Sequence, residues 1–348
     1  MDFSNPAELV AFVSDALPTF KSTGEARELS GGNLNYVWRV FGEWQSVVVK
    51  HAPPFIARVP EIPISPQRIR IEASVLRLFE VPPLQLLASD DIRPPRLLYA
   101  DEKRHTIILE DVGDLVHLDR LEMPGMDIGS KLGSFFGQLH RSTFQHRSME
   151  TIDNLAIQQT RLEVQYASIG ALLSSLGFSS AEELGEKARK LGEKYLTKGK
   201  CLTMGDLWPR SVLADTDRRQ IRIIDWEFAH YGRPAQDVAH FLAHLWMLGH
   251  RAPSAAQRTG IMQLQRAFIE GYMSALGPAQ KLLFNEEEIK DAGIHFGAEI
   301  LVRTIGNFQN GYLYDGLPPD HPKVRAAVDM AVRCLEDPLA LWNEQRPE

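Results

Sequence analysis

Apolar positions along the chain follow two different periods. After Asn5-Pro6, the helical spacing of Leu9, Val10, Phe12, Val13 and Leu17 predicts a helix that stops at Pro18. Asparagine can accept its orphan amide bonds, and proline suits its first turn. The period then shortens. Runs of β-branched and aromatic residues predict strands over 26–30, 36–41, 45–50, 96–99 and 106–110, the third containing Val47-Val48-Val49. A proline-rich loop over 53–66 and a helix over 68–79 separate the third strand from the fourth. Beyond Gly113, Leu132, Phe135, Phe136 and Leu139 recur at i, i+3, i+4 and i+7, which predicts a helix with one buried face. Helical patterns return over 237–248, 255–276, 286–308 and 322–335. Between them lie short β-prone runs at 201–203, 212–214 and 221–224, the last two joined by the turn Asp215-Thr216-Asp217. The pattern predicts a small antiparallel-sheet lobe over 1–112, then a larger, mainly helical lobe over 113–348.

Composition narrows the partners. With 44% hydrophobic and 24% charged residues in 348, the chain has ordinary globular usage. A net charge of -7 gives no basic footprint for nucleic acid. No apolar run approaches the roughly 18 residues of a membrane span. Cys201 and Cys334 are far apart and lack metal-ligand spacing, and the first residues lack a basic leader, so a cytoplasmic protein is expected. Internal repeats and low-complexity segments are absent.

Three constellations could carry chemistry. Ser30-Gly31-Gly32-Asn33-Leu34-Asn35 lies between two predicted strands, where glycines let backbone amides approach a phosphate; it also reads as a plain hairpin turn. No Gly-Lys-Ser/Thr follows, so it is not a Walker loop. Lys50 closes the valine strand and Glu72 lies on the next helix, a candidate pair for holding an ammonium toward phosphates. Separately, they are an edge lysine and one helix glutamate among several. The third is Gly205-Asp206-Leu207-Trp208-Pro209-Arg210-Ser211 followed by Ile224-Asp225-Trp226-Glu227-Phe228. Phosphoryl transfer needs one acid to orient a hydroxyl and another to hold Mg2+, and Asp206 and Asp225 offer these in order. Either aspartate alone reads as a turn or helix cap.

In this joint order, over about residues 29–245, the chain resembles the aminoglycoside phosphotransferase-like superfamily, and in motif it looks most like methylthioribose kinases and their fungal relatives. The resemblance implies an α+β, bilobal protein-kinase-like fold and transfer from ATP, with Mg2+, to a hydroxyl of a small molecule. It implies Asp206 as the base, and Ser211, Asp225 and Glu227 on the metal side. Gly31, Gly32, Asn33, Asn35, Lys50 and Glu72 would hold the nucleotide phosphates, and Glu110 and Val112 the adenine edge. Trp208 and Arg303 would face the acceptor, and Asp237 would brace the catalytic loop.

The chain departs from the superfamily pattern at Met204, usually histidine, and at Ser211, usually asparagine. Methylthioribose kinases carry paired arginines where Val302-Arg303 offers one, which argues against methylthioribose as acceptor. Arg303 is also spaced to pair with Glu299. Glu286-Glu287-Glu288 complements a helix dipole, and His230, His240, His244 and His250 read as structural or surface residues, because hard-oxygen chemistry does not require imidazole. The alternative reading is a nucleotide-binding module that has lost phosphotransfer. A protein kinase fits less well, because no Ala-Pro-Glu segment follows Asp225. No motif names the acceptor or the oligomeric state.

Overall fold

A computed structural model describes residues 5–29, 34–122, 125–215 and 220–343. Gly31, Gly32 and Asn33 of the glycine loop, and Thr216 and Asp217 of the later turn, lie outside the described residues.

Five antiparallel strands form the first sheet, in the order Ser22–Glu28, Tyr36–Gly42, Ser46–His51, Thr106–Glu110, Leu97–Asp101. Side chains alternate across a strand, so the Ser46–His51 run serves both faces. Val47 and Val49 pack with Leu9, Phe12 and Val13 of the helix Pro6–Ala16, which Asn5 caps through the Ala7 amide. Val48 contacts the other core, and Lys50 reaches Glu72 of the helix Arg68–Leu78. A one-residue slip in register would turn Lys50 to the wrong face.

After Thr106–Glu110 the chain leaves the sheet through a segment clamped by Arg39. The Arg39 guanidinium pairs with Asp111 and Asp114, both at 2.6 Å, and donates to the Gly113 carbonyl at 2.9 Å. Gly113 has φ +80°, which favours glycine. A second sheet links the two parts of the chain: Ile92–Arg93 runs parallel to Ile221–Ile223, which pairs with Val212–Ala214 and, beyond it, Val116–His117.

The remainder is mainly helical, and its closest packing is between Met126–Thr143 and Ala255–Leu276. Gly129, Gly133 and Gly137 lie one turn apart, and a Cβ on any of them would run into the backbone of Leu264, Phe268 or Tyr272. Helices Pro234–Arg251, Glu286–Thr304 and Pro322–Glu336 complete the layer. The sequence pattern differs from the structure in several places, the first strand running over Ser22–Glu28 instead of 26–30. The proline-rich 53–66 segment contains a short hairpin of Phe55–Ile56 and Val59–Pro63, since proline is tolerated at a sheet edge. The helix expected over 286–308 ends at Thr304. Helices Leu155–Arg161, Ile169–Ser175 and Ala181–Tyr195 were not individually foreseen.

The glycine row makes a direct prediction. Gly133→Ala forces a methyl against the Phe268 carbonyl and is expected to cost about 1–3 kcal/mol in urea unfolding. Gly249→Ala, whose new methyl would meet Ile261 at an ordinary 3.5 Å, should leave stability unchanged or raise it.

Candidate active site

Lys50 is 3% exposed, and a buried ammonium needs compensation. Its Nζ lies 2.7 Å from Asp225 Oδ1, 2.8 Å from Glu72 Oε2 and 3.5 Å from Glu227 Oε1. Burial alone would lower its pKa, but Asp225, Glu227 and Glu72 outweigh that and hold it above the ordinary lysine value. Lys50 and Glu72 come from the sheet lobe, whereas Asp225 and Glu227 flank Trp226 in the helical lobe. Trp226 is fully buried, donates to the Ile223 carbonyl at 2.8 Å and packs on Phe79 and Phe136.

Glu227 is tied at both oxygens. Oε1 accepts from Asn35 Nδ2 at 2.7 Å, and Oε2 pairs with Arg68 Nε at 2.9 Å. Arg68 also donates to the carbonyls of Leu34, Pro53 and Ser65 and to Asn35 Oδ1, joining the end of the glycine loop to the acid cluster. Asn154 Nδ2 holds the Glu227 carbonyl at 2.8 Å. Asp225 differs from Glu227. It sits in the left-handed region at φ +65°, its side chain is 40% exposed, and only Oδ1 has a partner among the described residues. Its second oxygen is a hard donor suited to Mg2+.

Asp206 shows the same economy. Arg161 donates to its Oδ1 at 2.8 Å, and His240 Nε2 lies 3.3 Å from that same oxygen. Oδ2 has no partner among the described residues. Burial would raise the Asp206 pKa, yet His240, Arg161 and Arg303 hold it down at about 2, so it is a carboxylate at neutral pH. The loop beneath is fixed by Asp237, which accepts from the amides of Met204 at 2.8 Å and Gly205 at 2.7 Å and meets His140 Nε2 at 3.1 Å. Met204 is fully buried.

The remaining expected residues fall in several places. Ser211 is fully buried; its hydroxyl donates to the Trp208 carbonyl at 2.8 Å and accepts from the Trp208 amide at 3.1 Å. The Ser211 carbonyl accepts from the Ile224 amide at 2.9 Å, tying the loop of Asp206 to the strand before Asp225. The Glu110 side chain is taken by Arg93 at 2.5 Å. Neither backbone polar group of the half-buried Val112 has a partner among the described residues. Arg303 donates to Glu299 at 2.7 Å, the i, i+4 pair that its spacing allows, while its guanidinium lies over Trp208, Phe308 and Tyr312 at 5.2–5.6 Å.

Spacing did not single out Arg68, Arg161 or Asn154, nor assign any role to His295. Arg68 and Glu72 are one helical turn apart, the one available signal. A π-helical turn at Leu162–Tyr166 follows Leu155–Arg161, and Arg161, Gln165 and Tyr166 all point inward. Of the histidines expected to be structural or surface residues, His240 and His244 join His295 in a buried network, while His230 meets Thr203 and the half-buried His250 meets Tyr314. His244 Nε2 meets Glu299 Oε1 at 3.0 Å, His240 Nδ1 meets His295 Nε2 at 3.2 Å, and Tyr166 O–H meets His295 Nδ1 at 2.7 Å. Burial lowers the His244 pKa to about 3. His240, His295 and Glu299 bring donor atoms within 4.8 Å, the spacing of a metal site. However, Gln165, His244 and Arg303 already satisfy the Glu299 carboxylate, so hydrogen bonding accounts for the cluster.

Comparison with known proteins bears on the family and the fold. The chain is 24% identical over 271 residues to 4-hydroxytryptamine kinase of Psilocybe cyanescens, covering 71% of this chain and 74% of that one. It is 25% identical over 360 residues to methylthioribose kinase of Bacillus velezensis, covering 91% and 88%. An amicoumacin kinase solved with AMP-PNP and Ca2+ superposes with a TM-score of 0.54 at 13% identity, over 94% of this chain and 92% of that one; the likeness shows the shared bilobal kinase-like fold. The model of a phosphotransferase enzyme family matches residues 25–276, well over half the chain, and the chain belongs to that family.

Proposed function

We propose that the chain transfers the γ-phosphoryl group of ATP, with Mg2+, to a hydroxyl of a small molecule. One observation carries this reading: Asp206 and Asp225 are each fixed through one carboxylate oxygen and leave the other without a partner among the described residues. Asp206 Oδ2 accepts the proton of the acceptor hydroxyl as the oxygen attacks, and its depressed pKa keeps it ready over the neutral range. Lys50, steadied by Glu72, faces the phosphates. Asp225, with Glu227 behind it, would hold Mg2+, which supplies charge neutralisation on the transferring group. Ser211 serves chiefly to fix the turn between base and metal segments, with one lone pair at most left to offer a cation. The free backbone groups of Val112, after the clamped Glu110, suit the adenine edge, and the disposition of Trp208 and Arg303 suits the acceptor side. Gly31, Gly32 and Asn33 remain the proposed phosphate loop, whereas the side chain of Asn35, expected to join them, is taken by Glu227 and Arg68 and ties the end of that loop to the acids.

The names of the relatives support small molecules as acceptors, and the chemistry of Asp206 supports a hydroxyl. No structural observation favours a module that has lost phosphotransfer: the loop around Met204 is held by Asp237 without the usual histidine.

Two predictions follow from these assignments. In an ADP-release screen over amino alcohols, hydroxylated aromatic amines, ribosides, amino sugars and choline, Asp206→Asn and Asp225→Asn should each lower kcat by about a hundredfold or more. Thermal stabilisation by Mg-ATP should survive in Asp206→Asn and weaken in Asp225→Asn; undiminished turnover in either variant refutes the reading. Lys50→Met strands buried carboxylates and should cost about 3–5 kcal/mol in urea unfolding without nucleotide. Adding Glu72→Leu should return part of that loss; a single variant as stable as the parent would remove Lys50 from this role.

A further inference from the structure

We propose that His240 is the positioning residue of Asp206: its Nε2–H holds Oδ1, so that Oδ2 stays turned to the acceptor hydroxyl. The inference rests on Asp206 being the base. His240 is 1% exposed, and Asp206 Oδ1, at 3.3 Å, is the one group its Nε2 meets among the described residues. That distance is long for a hydrogen bond, as is common at catalytic contacts before substrate arrives.

The Asp206 carboxylate can only accept, so it sets the direction of the chain: His240 donates to it through Nε2 and accepts at Nδ1. Burial holds the Tyr166 phenol well above its ordinary pKa, so it stays protonated and can donate a hydrogen bond to His295 Nδ1 at 2.7 Å. His295, which burial keeps well below the ordinary histidine value, is neutral and therefore carries its hydrogen on Nε2. That hydrogen points to His240 Nδ1 at 3.2 Å, which leaves the His240 hydrogen on Nε2, facing Asp206. Tyr166, His295, His240 and Asp206 thus form a chain with every donor directed at the base.

Other charged or titratable groups face His240 as well. Arg161 comes from the helix before the π-turn, Glu299 lies 3.6 Å from Nδ1, Arg303 pairs with Glu299, and the His244 ring is 4.8 Å away. Gln165, His244 and Arg303 hold Glu299 in place, so it does not swing to claim the ring. Arg161 binds Asp206 and also the Gly205 carbonyl. Without His240 the carboxylate would stay tethered at one point, free to rotate and easier to protonate.

His240→Ala and His240→Gln, compared with Asp206→Asn, test this. With an acceptor found in the screen, His240→Ala should lower kcat about tenfold or more with the KM for ATP unchanged, and Gln, which keeps an N–H, should recover most of the loss. A second measurement needs no acceptor: the Asp206 carboxyl is followed by 13Cγ NMR, its signal assigned by its absence in Asp206→Asn. The parent should stay ionised as pH falls to about 4, the ordinary aspartate range, whereas His240→Ala should take up its proton above that point. The sign follows from the depressed pKa: the stabilisation of the fold is present above the unfolded value and lost as pH falls toward about 2. An unchanged titration and unchanged kcat in His240→Ala overturn the inference while leaving the base assignment standing. Full turnover in Asp206→Asn refutes the base assignment itself.

Discussion

The structure depends on one buried charge. Lys50 sits almost fully out of water, and a lone ammonium there would be strongly destabilising or would give up its proton. Its three carboxylate partners come from both parts of the molecule: Glu72 from the helix on the sheet, Asp225 and Glu227 from the segment after Ile221–Ile223. The cation therefore holds the lobes in register as well as filling a site. Its own placement is set by strand alternation, since the valines that flank Val48 bury one face of the sheet and leave Lys50 for the other. Arg68 repeats the device a turn before Glu72, binding Glu227 on one side and the end of the glycine loop on the other.

Around this cation the acids are used unequally. Glu227 is buried and engaged at both oxygens and Glu72 is buried against Lys50, whereas Asp225 gives one oxygen to Lys50 and has a side chain 40% exposed. Asp206 follows the same rule with Arg161 and His240 in place of lysine. Holding one oxygen of a carboxylate restricts its motion before reactants arrive, more so when two donors share it as at Asp206, and preorganisation of this kind is where phosphoryl transfer in general gains most.

The strands were legible where short β-prone apolar runs are bounded by turns: Thr106–Glu110, Cys201–Thr203 and Val212–Ala214 coincide with the expected runs. The Lys50–Glu72 pair was legible only because it stood in an ordered series with Asp206 and Asp225. Arg161 and His295 were not singled out, because a helical arginine or histidine looks the same in sequence whether it faces water or a carboxylate 2.8 Å away. Arg303 showed its i, i+4 bond to Glu299, but the aromatic rings around it come from Trp208, Phe308 and Tyr312, whose convergence depends on tertiary packing. The glycine row of Met126–Thr143 was present as a spacing, yet nothing local says that a backbone lies against it.

Met204 and Ser211 show how the site tolerates unusual residues. A histidine two residues before Asp206 could fix the loop through its ring; here Asp237 does so through the main-chain amides of Met204 and Gly205, and any residue but proline at 204 supplies the first. Position 204 is then free to be apolar, and burying a methionine adds packing in place of polar contacts. The demand moves to Gly205, which has φ +80° and lies where a Cβ would strike the Phe228 carbonyl. The loop of Asp206 and the segment of Asp225 and Glu227 touch at that point. The distance between Asp206 and Asp225 is thus governed by a backbone contact that only glycine permits, together with the Ser211 carbonyl bonded to the Ile224 amide. A side chain can change beside such a brace without moving the two acids, because neither acid depends on it for position.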